Sequence, residues 1–506
     1  MGARKVEMRL SKVIEGTGAT GAAGSDPEIA LVTGDSRAVV PGALFFALPG
    51  AKQDGHAFAA EAARRGAAAV VAEREVECAP ALALRAPSAR RAMAVAAMNF
   101  HGRPAEAMTL VGVTGTNGKT TVAYLVEACA REAGLLTAML GTVTHRWPGG
   151  GRPASHTTPE STEVAATLAT AREAGARLAV LEVSSHALAQ ERAAGLVFHA
   201  AGFTNLTRDH LDYHRDMESY YQAKRRLFVE HLRPGGTAVL NADDRSGARL
   251  AEELAAAGGA TVWRYGVSAG HLTAHGARFG LEGIAVRLET PAGPLDLRSP
   301  LVGAHNLENL LCAAGLALAA GLPLEAVGRA LAACPGAPGR LERVTGRGVS
   351  AFVDYAHTDD ALARALAALA ALGPRRLAVV FGCGGDRDRG KRPLMGEVAA
   401  RGADLVVATS DNPRTERPED ILSEIVPGLE RAGARRLSRD EARAGARGYA
   451  VVPDRREAIA LALSAAQAGD AVLIAGKGHE DYQIVGAERR PFDDREEARR
   501  ALGATP

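Results

Sequence analysis

The sequence predicts an α/β protein of three domains, and three observations carry that prediction. Strand-like apolar runs alternate with helical ones through most of the chain, the pattern of parallel sheets covered by helices. A strand end at Leu110-Val111, a glycine-rich turn over Gly112 to Thr121 and a helix start over Val122 to Val126 follow one another directly. Turn formers cluster at His101-Gly102-Arg103-Pro104 and again at Cys334-Pro335-Gly336-Ala337-Pro338-Gly339, and 506 residues are too many for one ordinary core. The expected domains are 1–104, 105–338 and 339–506.

In the first domain a helical run, Phe58 to Arg65, leads to a short buried strand over Ala67 to Ala72. Another strand in Pro41 to Ala47 is bracketed by Thr33-Gly34-Asp35-Ser36-Arg37 and by Gly50 with Asp54-Gly55-His56. Ser36 and Arg37 are placed either to hold a substrate or, with Asp35, to cap a turn.

The second domain opens on Gly112-Val113-Thr114-Gly115-Thr116-Asn117-Gly118-Lys119-Thr120-Thr121. Between a strand and a helix, successive backbone N–H groups and the helix dipole make a concave anion site. Lys119 is expected to reach outer phosphates and the Thr120 hydroxyl a magnesium ion, so nucleoside triphosphate binding is predicted. Val113 stands where the strict phosphate-loop pattern has glycine. Two later strands, Leu178 to Val183 and Ala200 to Phe203, end in Glu182-Val183-Ser184-Ser185-His186 and in Thr204-Asn205-Leu206-Thr207-Arg208-Asp209-His210. Ligands collect at such carboxyl ends. Glu182 and His210 are expected in the magnesium environment, with helix capping as the alternative for His210. Lys224 lies in helical Tyr220 to Phe228 and on its own reads as a solvated charge. His305 to Asn309 opens a helix over Leu310 to Leu322, where Asn306 offers either an amide for an adenine edge or a helix cap.

In the third domain strands end at Asp354-Tyr355-Ala356-His357, and those over Leu377 to Phe381, Leu405 to Ala408 and Val472 to Ala475 run into three polar loops. The loops are Gly382 to Asp388, Ser410-Asp411-Asn412-Pro413-Arg414 and Gly476-Lys477-Gly478-His479-Glu480-Asp481, which describes a second α/β sheet with a ligand crevice.

Sixty basic residues against 58 acidic ones, a formal charge of +2, give no general attraction to nucleic acid or membrane surfaces. Met1 to Gly18 lacks the apolar core of a secretory signal, and Leu310 to Leu322, interrupted by Gly315 and Gly321, is too short to span a bilayer. A cytoplasmic protein is expected. Cys78, Cys129, Cys312, Cys334 and Cys383 show no paired spacing and read as reduced thiols.

Taken together the motifs resemble the Mur ligases, ATP-dependent amide-forming enzymes of cell-wall precursor synthesis, over nearly the whole chain. The resemblance rests on Gly115 to Thr121, Glu182 to His186, Asn205 to His210, Lys224, His305 to Asn309, Gly339-Arg340-Leu341-Glu342 and Asp354 to His357. Thr157-Thr158-Pro159, Gly382 to Lys391 and Asp411 to Arg414 look like the MurE branch, which adds meso-diaminopimelate to UDP-N-acetylmuramoyl-L-alanyl-D-glutamate. The resemblance implies a UDP-binding N-terminal domain, a central P-loop ATPase domain with a parallel sheet and a Rossmann-like C-terminal domain that brings the amino acid. It implies ATP and Mg2+, small-molecule substrates, a monomer and an acyl-phosphate intermediate.

It also implies roles for individual residues. ATP is assigned to Gly115, Thr116, Asn117, Gly118, Lys119, Thr120, Thr121, Asn306, Asn309, Arg340 and Asp354, and catalysis to Lys119, Lys224 and His210. Magnesium is assigned to Thr120, Glu182, His210 and Lys224, the last as a carbamate formed with CO2. That chemistry needs a neutral amine, so Lys224 is expected to be buried or beside cations such as Arg225 and Arg226. Gly34, Ser36, Ala51, Lys52 and Gln53 are assigned to the UDP part, and His156, Thr157, Thr158, Ser184, Gln190 and Arg192 to the sugar and peptide. His156 departs from the asparagine frequent in the branch, and Asp359 from a proline. Arg387, Asp411, Asn412, Pro413, Arg414, Gly476 and Glu480 are assigned to diaminopimelate. A buried Arg414 would fork onto its distal carboxylate, and Glu480 would meet its distal ammonium. The same chemistry with lysine or a folate-type acceptor, a plain P-loop ATPase and a scaffold without catalysis are the rival readings.

Overall fold

The computed structural model describes residues 7–21, 25–50, 53–267 and 269–503. The described chain packs as two compact units. One runs through Thr273 and takes in Glu289–Gly293 and Asn309–Ala330; the other comprises Ala274–Leu288, Pro294–Glu308 and the chain from Leu331 onward.

Two sheets form most of the first unit. Near the N-terminus five strands lie in the order Thr20–Gly21, Leu82–Arg85, Ala69–Ala72, Ala43–Phe46, Leu31–Thr33, parallel except at the Thr20–Gly21 edge. Eight strands follow in the order Gly150–Pro153, Thr144–Trp147, Thr137–Leu140, Leu178–Glu182, Thr109–Thr114, Phe198–Phe203, Leu232–Asn241, Thr261–Tyr265. The antiparallel hairpin of Thr144–Trp147 and Gly150–Pro153 forms one edge and pairs antiparallel with Thr137–Leu140, and the remaining neighbours run parallel. Leu178–Glu182 and Phe198–Phe203 flank Thr109–Thr114 on its two sides, and their apolar residues are buried on both faces because helices cover the sheet. This order puts the carboxyl ends of three adjacent strands together, so the chain past Thr114, Glu182 and Phe203 converges on one place.

The second unit holds a six-stranded sheet, ordered Glu342–Gly346, Val349–Asp354, Ala471–Ala475, Leu377–Phe381, Leu405–Ala408, Gly448–Val451. Only its first pair is antiparallel. Asp354, Ala475, Phe381 and Ala408 therefore end neighbouring strands at one side. A small three-stranded sheet of Thr273–Gly280, Gly283–Glu289 and Leu295–Ser299 was not legible in the sequence.

Element positions follow expectation with shifts at the ends. The helix after the glycine-rich turn begins at Lys119, not Val122, and runs to Glu132. The helix expected from Leu310 spans Ala304–Ala319, so His305 to Asn309 lie within its first turns. Asn306 therefore does not cap it and donates to the Val302 carbonyl at 2.8 Å. Asp359 begins the helix Asp359–Ala370 beneath the Thr358 cap, where an acidic residue suits the dipole. All five cysteines are free thiols. Among the described residues no helix is long and apolar enough to cross a membrane.

The second unit encloses a bidentate pair with no exposed surface, Arg455 Nε to Asp494 Oδ1 and Nη2 to Oδ2, both at 2.7 Å. Arg455 also donates to the carbonyls of Ser410 and Ala475, fastening two strand ends. Breaking one member strands a buried charge, so Asp494→Asn is expected to lower stability by about 3–5 kcal/mol, whereas Arg455→Met with Asp494→Leu loses less. Denaturant unfolding of both variants checks this, and equal losses would contradict it.

Candidate active site

In the first unit the site grows from the turn between Thr109–Thr114 and Lys119–Glu132. Gly115 and Gly118 have φ of +147° and +86°, and a Cβ on them would lie 1.8 Å from Thr204 Oγ1 and 2.3 Å from Asn309 Oδ1. Only glycine fits there. The turn is laced to the chain beyond Phe203. Thr116 N donates to Asn205 O and Asn117 N to Asn205 Oδ1, each at 2.9 Å, while Thr204 Oγ1 donates to Asn117 O at 2.5 Å. The Thr116 hydroxyl meets Thr207 N at 3.0 Å and Tyr220 OH at 3.2 Å. Thr204, Asn205, Thr207 and Tyr220 thus hold the shape of the loop.

Two ammonium groups converge on one carbonyl. Lys119 Nζ donates to Gly115 O at 2.8 Å and Thr116 O at 2.9 Å, and Lys224 Nζ donates to Gly115 O at 2.7 Å. Lys224, on the helix Met217–Val229, is 1% exposed, with its ammonium 4.5 Å above the Tyr220 ring. Burial, and then the charge of Lys119, hold it well below the usual lysine range. The expected burial of Lys224 is met, but the neighbouring cation is Lys119; Arg225 pairs with Glu253, and Arg226 with Glu230 and Glu191.

Glu182 ends its strand fully buried. Its Oε2 accepts from Thr120 Oγ1 at 2.8 Å and Thr142 Oγ1 at 2.9 Å, and its Oε1 from Thr142 N at 2.8 Å. Gly141 makes this approach possible, since a Cβ there would lie 2.2 Å from Glu182 Oε1. A hydroxyl and a carboxylate in contact are hard oxygen donors of the kind magnesium takes beside phosphates. Among the described residues no group of three or more His, Cys, Asp or Glu is gathered as a metal cluster. The structure joins Thr120 to Glu182 and Lys224 to Lys119; His210 bonds to neither pair.

His210 is half exposed and starts the helix Leu211–His214 with φ of 53°, yet its side chain makes no cap bond. Its ring packs edge-on to His186 at 4.8 Å, and His186 in turn lies against Tyr213 and His214. His214 Nε2 meets Ser185 Oγ at 2.9 Å, and burial first, with His186, Lys224 and His210 after it, pushes that imidazole down to about 4.

The residues expected to hold the sugar and peptide share one network. Thr157 Oγ1 accepts from Thr142 Oγ1 at 3.1 Å, Thr158 Oγ1 donates to Glu182 O at 2.7 Å and receives Ser184 N at 3.0 Å, and Arg192 donates to Thr158 O and Gln190 Oε1. His156 is exposed, with its Nδ1 3.2 Å from Ser155 Oγ. Nearer the N-terminus, Asp35 caps the turn Ser36–Ala38 through Arg37 N. Gly34 packs so closely on Leu48 and Met93 that a Cβ would lie 2.8 Å from Leu48 Cδ1. Gln53 is exposed, and Ala51 and Lys52 lie outside the described residues.

The second unit holds the other predicted residues. Asp354 spends both oxygens on backbone, accepting from Leu341 N at 2.8 Å and Ala356 N at 2.9 Å, and burial pushes its carboxyl up. The Arg340 guanidinium lies 5.4 Å from the Tyr355 ring centre. The loops past Phe381 and Ala408 touch so tightly that a Cβ on Gly385 would lie 1.9 Å from Pro413 O. Arg414, at φ 52°, is half-buried rather than buried, and donates to Gly385 O at 2.8 Å. Arg387 is exposed. Asn412 Nδ2 donates to Glu480 Oε2 at 2.9 Å, and Asp411 and Pro413 are buried beside it. Gly476, at φ +118°, would place a Cβ 3.5 Å from Asp411 Oδ2.

Three family models match the chain: Mur ligase family, catalytic domain, over 28–101; Mur ligase middle domain, over 113–317; and Mur ligase, glutamate ligase domain, over 339–478. The UDP-N-acetylmuramoyl-L-alanyl-D-glutamate–2,6-diaminopimelate ligase of Gloeobacter violaceus is 48% identical over 501 residues, covering 98% of each chain. That of Geobacter sulfurreducens is 48% identical over 474 residues, covering 92% of each. A solved structure of a ligase of the same name matches with a TM-score of 0.70 at 35% identity, over 93% of this chain and 94% of its own.

Because Lys224 is depressed in the folded state, the unfolded chain binds more protons between that lowered value and about 10.4, so stability is expected to rise with pH across this window. Lys224→Met removes the slope. Urea unfolding at a series of alkaline pH values checks it, and equal slopes in both proteins would contradict the assignment.

Proposed function

The chain belongs to the Mur ligase family, and we propose that it joins meso-diaminopimelate to UDP-N-acetylmuramoyl-L-alanyl-D-glutamate with cleavage of ATP, in peptidoglycan precursor synthesis. The observation that carries the choice of amino acid is the contact of Asn412 with Glu480 on strand ends shared with Arg414. Diaminopimelate carries an ammonium and a carboxylate at its far end. Glu480 answers the first, and the planar fork of Arg414, with Arg387, answers the second. Asp411, Pro413 and Gly476 complete the pocket.

A carboxylate is a poor acyl donor until its oxygen becomes a leaving group. The peptide carboxylate therefore attacks the γ-phosphate, giving an acyl phosphate and ADP. The amine of diaminopimelate then attacks that carbonyl, and phosphate leaves. Both partners of the first step are anions, so charge neutralisation dominates. The backbone N–H groups of Gly115 to Thr121 and the Lys119 ammonium hold the phosphates. Thr120, Glu182 and His210 would hold Mg2+, which when bound offsets phosphate charge. Lys224 would react with CO2 as the neutral amine, losing a proton to become a carbamate, which would offer an anionic ligand for a second Mg2+. Asn306, Asn309, Arg340 and Asp354 take the adenosine. Gly34, Ser36, Ala51, Lys52 and Gln53 take the UDP, and His156, Thr157, Thr158, Ser184, Gln190 and Arg192 the sugar and peptide. The domains are 1–104, 105–338 and 339–506, and the protein works as a cytoplasmic monomer.

Phosphate release is expected only with ATP, the UDP-muramoyl dipeptide and diaminopimelate all present, and release without the amine would favour a plain ATPase. Lysine lacks the distal carboxylate and leaves Arg414 without a partner, so its kcat/KM is expected to fall by ~10⁴. Comparable turnover of lysine would remove Arg414 from this role.

A further inference from the structure

Lys477 stands three residues before Glu480 and is wholly buried, and no role has been given to it so far. Gly476 and Gly478 on either side have φ of +118° and +54°, so the chain turns sharply about it as it leaves the strand Ala471–Ala475. Its Nζ lies 3.2 Å from Asn412 Oδ1, 3.2 Å from Glu480 Oε2 and 3.8 Å from Asp411 Oδ1. Every one of these partners is a side chain assigned above to the amino-acid pocket. A buried cation that serves only the fold is bonded differently in this same unit: Arg455 goes to Asp494 and to the backbone carbonyls of Ser410 and Ala475.

The contacts of Lys477 fix two things. Asn412 Oδ1 accepts from Lys477 and from Ile484 N at 2.9 Å, while its Nδ2 donates to Glu480. A flipped amide would set its NH2 against an ammonium and an N–H, donor against donors, so one orientation is enforced. Glu480 is held through Oε2 alone, and its Oε1 accepts from none of the described residues. With Arg414 set apart for the distal carboxylate, the charges around Lys477 also balance to one remainder. Asp411 and Glu480 bring two negative charges and Lys477 one positive, while Arg455 and Asp494 cancel each other. Burial pushes the Asp411 carboxyl up, and Arg455, then Lys477, draw it only part of the way back.

We infer that Lys477 is a positioning residue for the diamino acid: it presents Glu480 Oε1 and one face of Asn412, and leaves a single negative charge to receive the substrate's distal ammonium. The inference rests on the function proposed above. Without Lys477 the pocket holds two like charges and an amide free to flip, and the substrate's ammonium meets a misplaced carboxylate.

Steady-state kinetics of Lys477→Met test it. The KM for meso-diaminopimelate is expected to rise about tenfold, the worth of a charged hydrogen bond, with the KM for ATP unchanged within about twofold. A rise below about threefold, or one matched in the KM for ATP as a general loss of structure would give, overturns it. Should Lys477→Met fail to fold, Lys477→Gln, which keeps a donor for Asn412 Oδ1 but drops the charge, is judged by the same two KM values. Absence of diaminopimelate-dependent turnover in the wild-type enzyme overturns the functional reading and this inference with it. Normal wild-type turnover beside an unaffected variant overturns the inference alone.

Discussion

One carbonyl oxygen, that of Gly115, accepts from two lysines. Two ammonium groups repel each other, so the packing around them has to hold the arrangement. Gly115 is closed in by Thr204, and Lys224 is sealed by its own helix beneath the Tyr220 ring. Burial first, and the charge of Lys119 after it, lowers the basicity of Lys224. A lysine so placed is strongly basic no longer. In the proposed reaction it is the nucleophile toward CO2, while Lys119, less buried and bonded to two carbonyls, serves the phosphates.

Sheet order makes this possible and is repeated in the second unit with opposite sign. In the eight-stranded sheet the converging strand ends deliver the backbone N–H groups of the glycine-rich turn and Lys119, donors suited to a polyanion, while Lys224 comes in from the helix Met217–Val229. In the six-stranded sheet the ends of Leu377–Phe381, Leu405–Ala408 and Ala471–Ala475 deliver an excess of carboxylate together with Arg414, the means of holding a zwitterion. Each site is built at the carboxyl side of parallel strands, yet the ligand each fits is set by a few side chains past the last strand residue.

Much of this was legible in the chain. Glycines ahead of Lys119, and Glu182 at the end of an apolar run, are local patterns whose geometry follows from the strand and helix they adjoin. Thr142 was missed although the same rule applies, since it stands just past the strand Thr137–Leu140 and delivers two of the three bonds to Glu182. The grip of Thr204 and Asn205 on the phosphate loop, and the identity of the cation beside Lys224, could not be read. Arg225 and Arg226 are adjacent in sequence but face Glu253, Glu230 and Glu191, while Lys119 arrives from another element. Helix starts slipped by a few residues, as at Lys119 and Ala304, because apolar periodicity marks the buried stripe and not the first turn.

Burial, reinforced by the charge of Lys119, is proposed to leave the Lys224 amine open to CO2. Carbon-13 NMR of the enzyme in labelled bicarbonate tests it most directly. A carbamate resonance is predicted in the wild-type protein and its loss in Lys224→Met; no such resonance in the wild type, or an undiminished one in the variant, would contradict the account.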